Sequence, residues 1–341
     1  MSDYTIIITS YNRPKTLLRT LKFLFDCDNS VQIIIADSSK KILDDKELKI
    51  FIDLKKIELK FFSENIKVAE KISQTLEIVN TSYTVLCADD DFIYPDSIKK
   101  CIHFLKQNSD YVSCHGKYYV HTNAHVTRET GVVFRNLTKE LISADDEDPK
   151  DRVKKYIDGK LKQQYTFYAV MKTSDLSDVW KQTFEFGNDW YILEYVSTII
   201  CLLKGKMKTL PIFYMSREPN HFTWTVENRI INIFNTKTIF EVSSGLARYS
   251  ALKQKVNDID QEIKFFVKFF KTKKNNIIKK AKPIEINQNF KSILRFFIYP
   301  LKKILFKISN ELPFTKVKKI EELILEMKEV QSEIQYTRKK Y

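Results

Sequence analysis

Glycine and proline are scarce in this chain, at 6 and 8 among 341 residues. A collagen-like repeat, a glycine-rich linker array or a proline-rich recognition tail would each need far more of one or the other. Cysteine never occurs as a CxxC pair. The five residues Cys27, Cys87, Cys101, Cys114 and Cys201 are odd in number and scattered, and four of them sit in or beside apolar runs. That argues against a clustered zinc site or a disulfide framework and for reduced, buried thiols. No uninterrupted apolar run reaches the roughly 18 residues of a membrane-spanning candidate. The nearest, YILEYVSTIICLL at 191–203, is short and carries Glu194. The opening MSDYTIIITSYNRP has an acid at Asp3 and turns polar at Thr9, unlike a secretory leader. These absences predict a soluble or peripheral protein, cytoplasmic in location.

Acid is missing from one stretch. Between Lys264 and Asn310, thirteen Lys or Arg face a single acid, Glu285, so most of the net charge of +14 lies there. An anionic partner would therefore meet the C-terminal region. Within it, FKSILRFFIYPLKKILFKISN (290–310) mixes Phe, Ile and Leu with Lys and Arg and has no acid. Such a composition suits an amphipathic helix lying on an anionic membrane surface, broken near Pro300. The alternative is a basic helix packed on the rest of the protein with its lysines in solvent. No nucleic-acid motif is present, and none is expected as partner. A last helix, 316–337, sets Ile320, Met327 and Ile334 seven apart, with Leu323 and Val330 between them. Its length is marginal for an independent coiled coil, leaving homo-oligomer contact and folding back equally open.

What the first half has in abundance is alternation. Apolar, β-branched runs at 5–9, 31–37, 57–62 and 83–88 are separated by helical patterns at 14–25, near 45–54, and at 68–79, with another helix over 94–107. Pro14 and Pro95 stand at helix starts, where a missing N–H costs nothing. Continuously apolar strands linked by helices predict an α/β fold with a parallel sheet covered on both faces. Right-handed crossovers place all those strand ends at one edge, where open α/β sheets bind ligands. Thr9–Arg13, Asp37–Ser39 and Asp89–Asp91 all fall at that edge. From 110 to 170 the pattern turns more β-like and aromatic, with strands at 110–122, 131–137 and 163–172 and a helix over 150–161. A helix beginning near Asp189 runs to 203, a strand covers 208–218, and helical patterns resume from 226.

LCADDDF (86–92) is the most pointed motif. Divalent Mg²⁺ and Mn²⁺ prefer hard oxygen ligands and often bridge carboxylates to a diphosphate. Asp91 would hold such a metal, with Asp89 toward a nucleotide and Asp90 pointing away or capping the next turn. A plain capping turn is the other reading of the triplet.

TIIITSYNRPKTLLRTLKFL, IIIADSS and VLCADDDF, in this order and spacing, resemble a family 2 glycosyltransferase, and more narrowly a bacterial branch tied to surface polysaccharides. The resemblance covers roughly residues 4 to 220. It implies a GT-A fold, a nucleotide-sugar donor, a divalent metal, Mn²⁺ or Mg²⁺, and inversion at the anomeric carbon. Carried across, Thr9 and Tyr11 line the base and ribose pocket, Asp37 hydrogen-bonds the base, and Asp89 with Asp91 forms the DxD element. Arg13 and Asp90 join the donor side. Lys71 either faces the diphosphate or sits on a solvated helix face, in a segment (ENIKVAEKIS) that lacks an expected glycine. The family's acidic pair at a helix start is matched by Asn188-Asp189, which makes Asp189 the general base, with Glu194 and Glu185 as alternates. After the last strand, Arg217 would meet the diphosphate and His221 is a candidate third metal ligand. The implied acceptor is a hydroxyl on a glycan or lipid-linked glycan in capsule, lipopolysaccharide or related synthesis, on the inner face of the cytoplasmic membrane.

The resulting plan is a catalytic domain over 1–225, with a donor half to about 112 and an acceptor half from 113. A helical extension follows over 226–341, containing the basic segment 264–310. A sugar-phosphate nucleotidyltransferase is the main rival, but it needs a glycine-rich loop after the first strand, and SYNRPKT has none. A non-catalytic scaffold of the same fold is the other, disfavoured by the presence of Asp37, Asp91 and Asp189.

Overall fold

The computed structural model describes residues 3–126, 129–136, 140–158, 160–161, 166–186, 190–218, 236–254 and 258–281. Strand β1 (Tyr4–Ser10) is followed by α1 (Pro14–Cys27), β2 (Gln32–Asp37), α2 (Lys46–Lys55), β3 (Glu58–Phe61), α3 (Val68–Leu76) and β4 (Tyr83–Ala88). Ile6, Ile7 and Ile8 of β1 are all fully buried, as a strand covered on both faces requires. β1 pairs in parallel with β2 and with β4, and β2 with β3. The registers Ser10↔Asp37 and Thr9↔Ala88 bring three strand ends to one line.

Local chemistry explains the helices. Pro14 opens α1, whose Leu17, Leu18, Leu21 and Leu24 are buried. Phe23 is buried too and meets Phe92 and Tyr94 edge-on at centroid distances of 4.8 and 5.2 Å. Phe25, whose spacing puts it on the same helical face as Leu17, Leu18 and Leu21, is only partly covered and packs on Phe51 at 5.8 Å. Asp45 caps α2 by accepting from the Leu48 N–H at 3.0 Å, which satisfies a donor the helix cannot.

Beyond β4 the sheet becomes mixed. A two-residue strand β5 (Phe92–Ile93) precedes α4 (Pro95–Gln107) and a long strand β6 (Tyr111–Val126), which forms a hairpin with β7 (Glu129–Asn136). Then follow α5 (Pro149–Ile157), β8 (Val170–Lys172), α6 (Thr173–Phe184), α7 (Trp190–Lys204) and β9 (Lys206–Arg217). The order across the sheet is β3-β2-β1-β4-β8-β6-β9-β5. The parallel sheet expected from the first half is thus present, extended by strands that run both ways. Among the described residues of the strand expected over 163–172, Val170–Lys172 is strand, and the helix expected over 150–161 stops at Ile157. The β5 pairing with β9, Phe92↔Ser216, matters most, because it carries Asp91 to Arg217.

Two further helices, α8 (Thr236–Gln254) and α9 (Ile259–Ala281), follow. Phe266, Phe269 and Phe270 of α9 are buried, and the Phe269 ring lies 6.0 Å from Tyr156 and 6.3 Å from Tyr195. Glu262, fully buried, pairs with Lys150 and accepts from Ser250 Oγ at 2.8 Å. Lys264, Lys268 and Lys271 stay exposed. At the start of the acid-poor segment, then, the apolar face is occupied by the protein itself. By compactness the chain divides into Met1–Asn275 and Asn276–Tyr341. Residues 290–310 and the 316–337 helix lie outside the described residues. Among the described residues no helix is long and apolar enough to cross a membrane.

Candidate active site at the parallel sheet edge

The site begins where the apolar strands run out. Thr9 is half-buried in register with Ala36 and Ala88, and Tyr11, just past the strand, is half-exposed. Asn12 takes a positive φ of 56°, a conformation Asn tolerates better than most residues. That turn aims its N–H at Ser39 Oγ, 2.6 Å away. Asp37 is fully buried at the end of β2 and accepts from the Ser39 N–H at 2.9 Å and the Ser39 hydroxyl at 2.8 Å. Burial pushes its carboxyl above the ordinary range, and the Ser39 hydrogen bonds hold it back. Each oxygen has a second lone pair, so Asp37 can still accept from a base N–H.

Lys71 is not on a solvated helix face. It is 5% exposed, and its ammonium donates to the Ser10 carbonyl at 3.1 Å and Ser38 Oγ at 3.0 Å. A solvated helix face is therefore excluded. Lys71 braces the ends of β1 and β2 against each other. Burial lowers its pKa, while Asp37 and Asp89 oppose that shift.

The three aspartates after β4 are all buried. Asp89 accepts from Ser10 Oγ at 3.0 Å and from Arg13 Nη1 at 3.3 Å. The same Arg13 nitrogen donates to Asp90 Oδ2 at 2.6 Å, so Asp90 does not point away as expected; it turns inward to Arg13. Asp91 is bound by the end of β9: Arg217 Nε donates to Oδ2 at 3.0 Å and the Glu218 N–H to Oδ1 at 3.2 Å. Arg217 lies over the Tyr168 ring, 5.0 Å from its centre. Thr20 Oγ1 of α1 donates to the Asp89 carbonyl at 3.0 Å, tying the turn to the helix. Asp89 is pushed up to about 6 by burial and then by the adjacent Asp90 charge, with Arg13 opposing. Asp91 is also pushed up to about 6 by burial, with Arg217 opposing. Both carboxylates are thus short of positive charge even with their arginines in place.

Sequence reasoning missed three participants. Arg19 pairs with the Glu218 carboxylate, reaches the Asp90 carbonyl at 3.5 Å and lies over the Phe92 ring at 5.1 Å. Glu218 and Tyr168 are the others, brought in by β9 and by the turn before β8. A carboxylate following Arg217 was the only visible signal. Asp189 and His221 lie outside the described residues. Of the alternate bases, Glu185 is exposed at the end of α6, and Glu194 is half-buried on α7, near enough to Arg217 to raise its pKa. His115 is fully buried; its Nδ1 donates to the Gly116 carbonyl at 2.7 Å, and burial lowers its pKa to about 4. Cys87, Cys101, Cys114 and Cys201 are buried free thiols, and Cys27 is exposed.

Comparison with known proteins bears on the fold that carries this arrangement. Residues 5–139 match the sequence profile of Glycosyl transferase family 2. Curated protein sequences offer no match. Among solved structures, S. aureus TarS 1–349 is similar at a TM-score of 0.50 and 12% identity, covering 83% of this chain and 76% of TarS. The TarS 1–349 complex with UDP-GlcNAc is similar at 0.50 and 13% identity, with the same coverage. At such low identity these likenesses speak for the fold alone. Residues 5–139, from β1 to β7, thus match a Glycosyl transferase family 2 domain, within a chain of GT-A α/β fold that buries acids at its strand ends.

Proposed function

We propose that the protein transfers a sugar from a nucleoside-diphosphate donor to a hydroxyl of a glycan or lipid-linked glycan, with inversion, in bacterial surface glycan synthesis. The observation that carries this reading is the buried Asp89–Asp91 turn beside Asp37 at the open edge of the parallel strands, flanked by Arg13 and Arg217. Apolar strands supply the rigid wall, and the acids and arginines supply the recognition chemistry for a base and a diphosphate. One of the similar structures is a complex with UDP-GlcNAc, so uridine nucleotides are the first donors to try.

In this reading Asp37 accepts from the base, and Thr9 and Tyr11 line the base and ribose. Arg13 and Arg217 face the diphosphate, since a guanidinium fork suits phosphate oxygens. Two buried carboxylates short of positive charge fit a divalent cation, Mn²⁺ or Mg²⁺, held by Asp91 with Asp89 on the donor side. When bound, such a cation neutralises charge that builds on the leaving diphosphate. Asp189 takes the proton of the attacking hydroxyl. His221 is a further candidate ligand.

A thermal-shift panel of nucleoside diphosphates with and without Mn²⁺ tests the core of this. Stabilisation by at least one nucleotide, increased by Mn²⁺, is expected; none at all would remove the donor site. Asp189→Asn should lower turnover by about 10²–10⁴-fold while leaving donor binding unchanged. Retained turnover would reject Asp189 as the base. Membrane association rests on the basic 264–310 segment, and loss of binding to anionic vesicles on deletion of its amphipathic 290–310 stretch is the corresponding check.

A further inference from the structure

Asp91 is the proposed metal ligand, yet both of its oxygens are already engaged. Arg217 Nε holds Oδ2 at 3.0 Å and the Glu218 N–H holds Oδ1 at 3.2 Å. The carboxylate is 1% exposed. Glu218 is anchored in turn by Arg19, whose guanidinium is steadied by the Phe92 ring and the Asp90 carbonyl. Tyr168 supports the face of Arg217. The end of β9 thus closes over Asp91 as a clasp fastened from α1, from the aspartate turn and from β9 itself.

Two cations cannot share this carboxylate cheaply. A divalent ion on Asp91 would lie a few ångströms from the Arg217 guanidinium, in surroundings where charges are weakly screened. Arg217 must therefore leave Asp91 before a cation can be held there. A diphosphate gives the displaced guanidinium a new anion of matching geometry. Building on the donor-site reading above, we propose that Arg217 is a placeholder for the metal: it occupies Asp91 in the free enzyme and transfers to the diphosphate when donor and cation arrive together. Arg217 is then what couples the two binding events, rather than simply one more contact to phosphate. Coupling of this kind is reciprocal, so the factor by which nucleotide tightens metal equals the factor by which metal tightens nucleotide.

The test measures Mn²⁺ binding by electron paramagnetic resonance on the full chain, with and without UDP, for the wild type, Arg217→Gln and Arg217→Lys. In the wild type Mn²⁺ alone should bind weakly and tighten on adding UDP, within the range of about 5- to 150-fold usual for coupled sites. Arg217→Gln should bind Mn²⁺ alone about tenfold more tightly than the wild type and show a smaller UDP effect. Arg217→Lys keeps the charge and should keep Mn²⁺ alone weak; it also serves if the Gln variant fails to fold. The placeholder is overturned if Arg217→Gln binds Mn²⁺ alone no more tightly than the wild type, or if Arg217→Lys admits Mn²⁺ alone as readily as UDP does. Failure of the donor-site reading looks different: UDP then binds none of the three proteins with or without Mn²⁺.

Discussion

On its helical side this molecule buries one carboxylate, Glu262, against one lysine and one serine; at its sheet edge Asp89, Asp90 and Asp91 share Arg13 and Arg217. The first cluster is balanced, and it joins α9 to the start of α5 and to α8. The second is over-supplied with negative charge, and burial pushes the Asp89 and Asp91 carboxyls up to about 6. Burying charge is costly in both places, but the way the cost is met differs. A balanced pair holds helices together. An unbalanced set costs stability and keeps an appetite for a cation, which is how binding sites commonly differ from structural ion pairs.

Substitutions should therefore act in opposite directions in the two regions. The largest effect is expected from Lys150→Met, which leaves Glu262 buried without its cation. A loss of about 3–5 kcal/mol in urea unfolding should follow, with turnover per folded molecule unchanged. Asp91→Asn should do the reverse, lowering turnover by about 10²–10³-fold as stabilisation of the leaving group is lost, with little loss of folded protein. Steady-state assays beside circular dichroism would separate the two.

Asp89→Asn sharpens the contrast through pH. The folded carboxyl is raised to about 6 from an ordinary 3.8, so the native state binds more protons between those values. The resulting stability is fully present below about pH 4 and lost as pH rises through about 6. The Asn variant should thus melt higher than the wild type at pH 7, by on the order of 1 kcal/mol, with that advantage roughly halved at pH 5 and gone below about pH 4. An advantage that persists unchanged at pH 5 would refute the charge explanation. The smallest change in stability belongs to Tyr11→Ala: because the ring is half-exposed, unfolding should move by less than about 0.5 kcal/mol. UDP affinity, in contrast, should fall by about 1 kcal/mol or more if the ring stacks on the base.

Most of the donor half was readable from residue patterns. The run at 83–88 matches β4 residue for residue, and the other early strands and helices fall within a few residues of their expected ends. The three polar strand ends also lie at one edge, because parallel pairing in register leaves no other place for them. Reading failed where contacts are distant. Tyr168 sits where a strand was expected, β5 is too short for any periodicity to show, and Phe25 and Phe23 differ in burial by the way β5 packs on α1. Lys71 looked like an ordinary helix lysine because nothing in its neighbours signals that two strand ends will close around it.

What the sequence determined alone was the local grammar: which runs become strands, where prolines and aspartates start helices, and that acids and arginines follow the last apolar residue of each strand. Those outcomes depend on side-chain periodicity and backbone sterics over a few residues. Only the tertiary structure decided which charges meet. Arg217 reaches Asp91 across 126 positions and Arg19 reaches Glu218 across 199, because β5 pairs with β9 and α1 packs beside them. Electrostatic partnership depends on distance in space and on exclusion of water, and the chain order specifies neither until the sheet has closed.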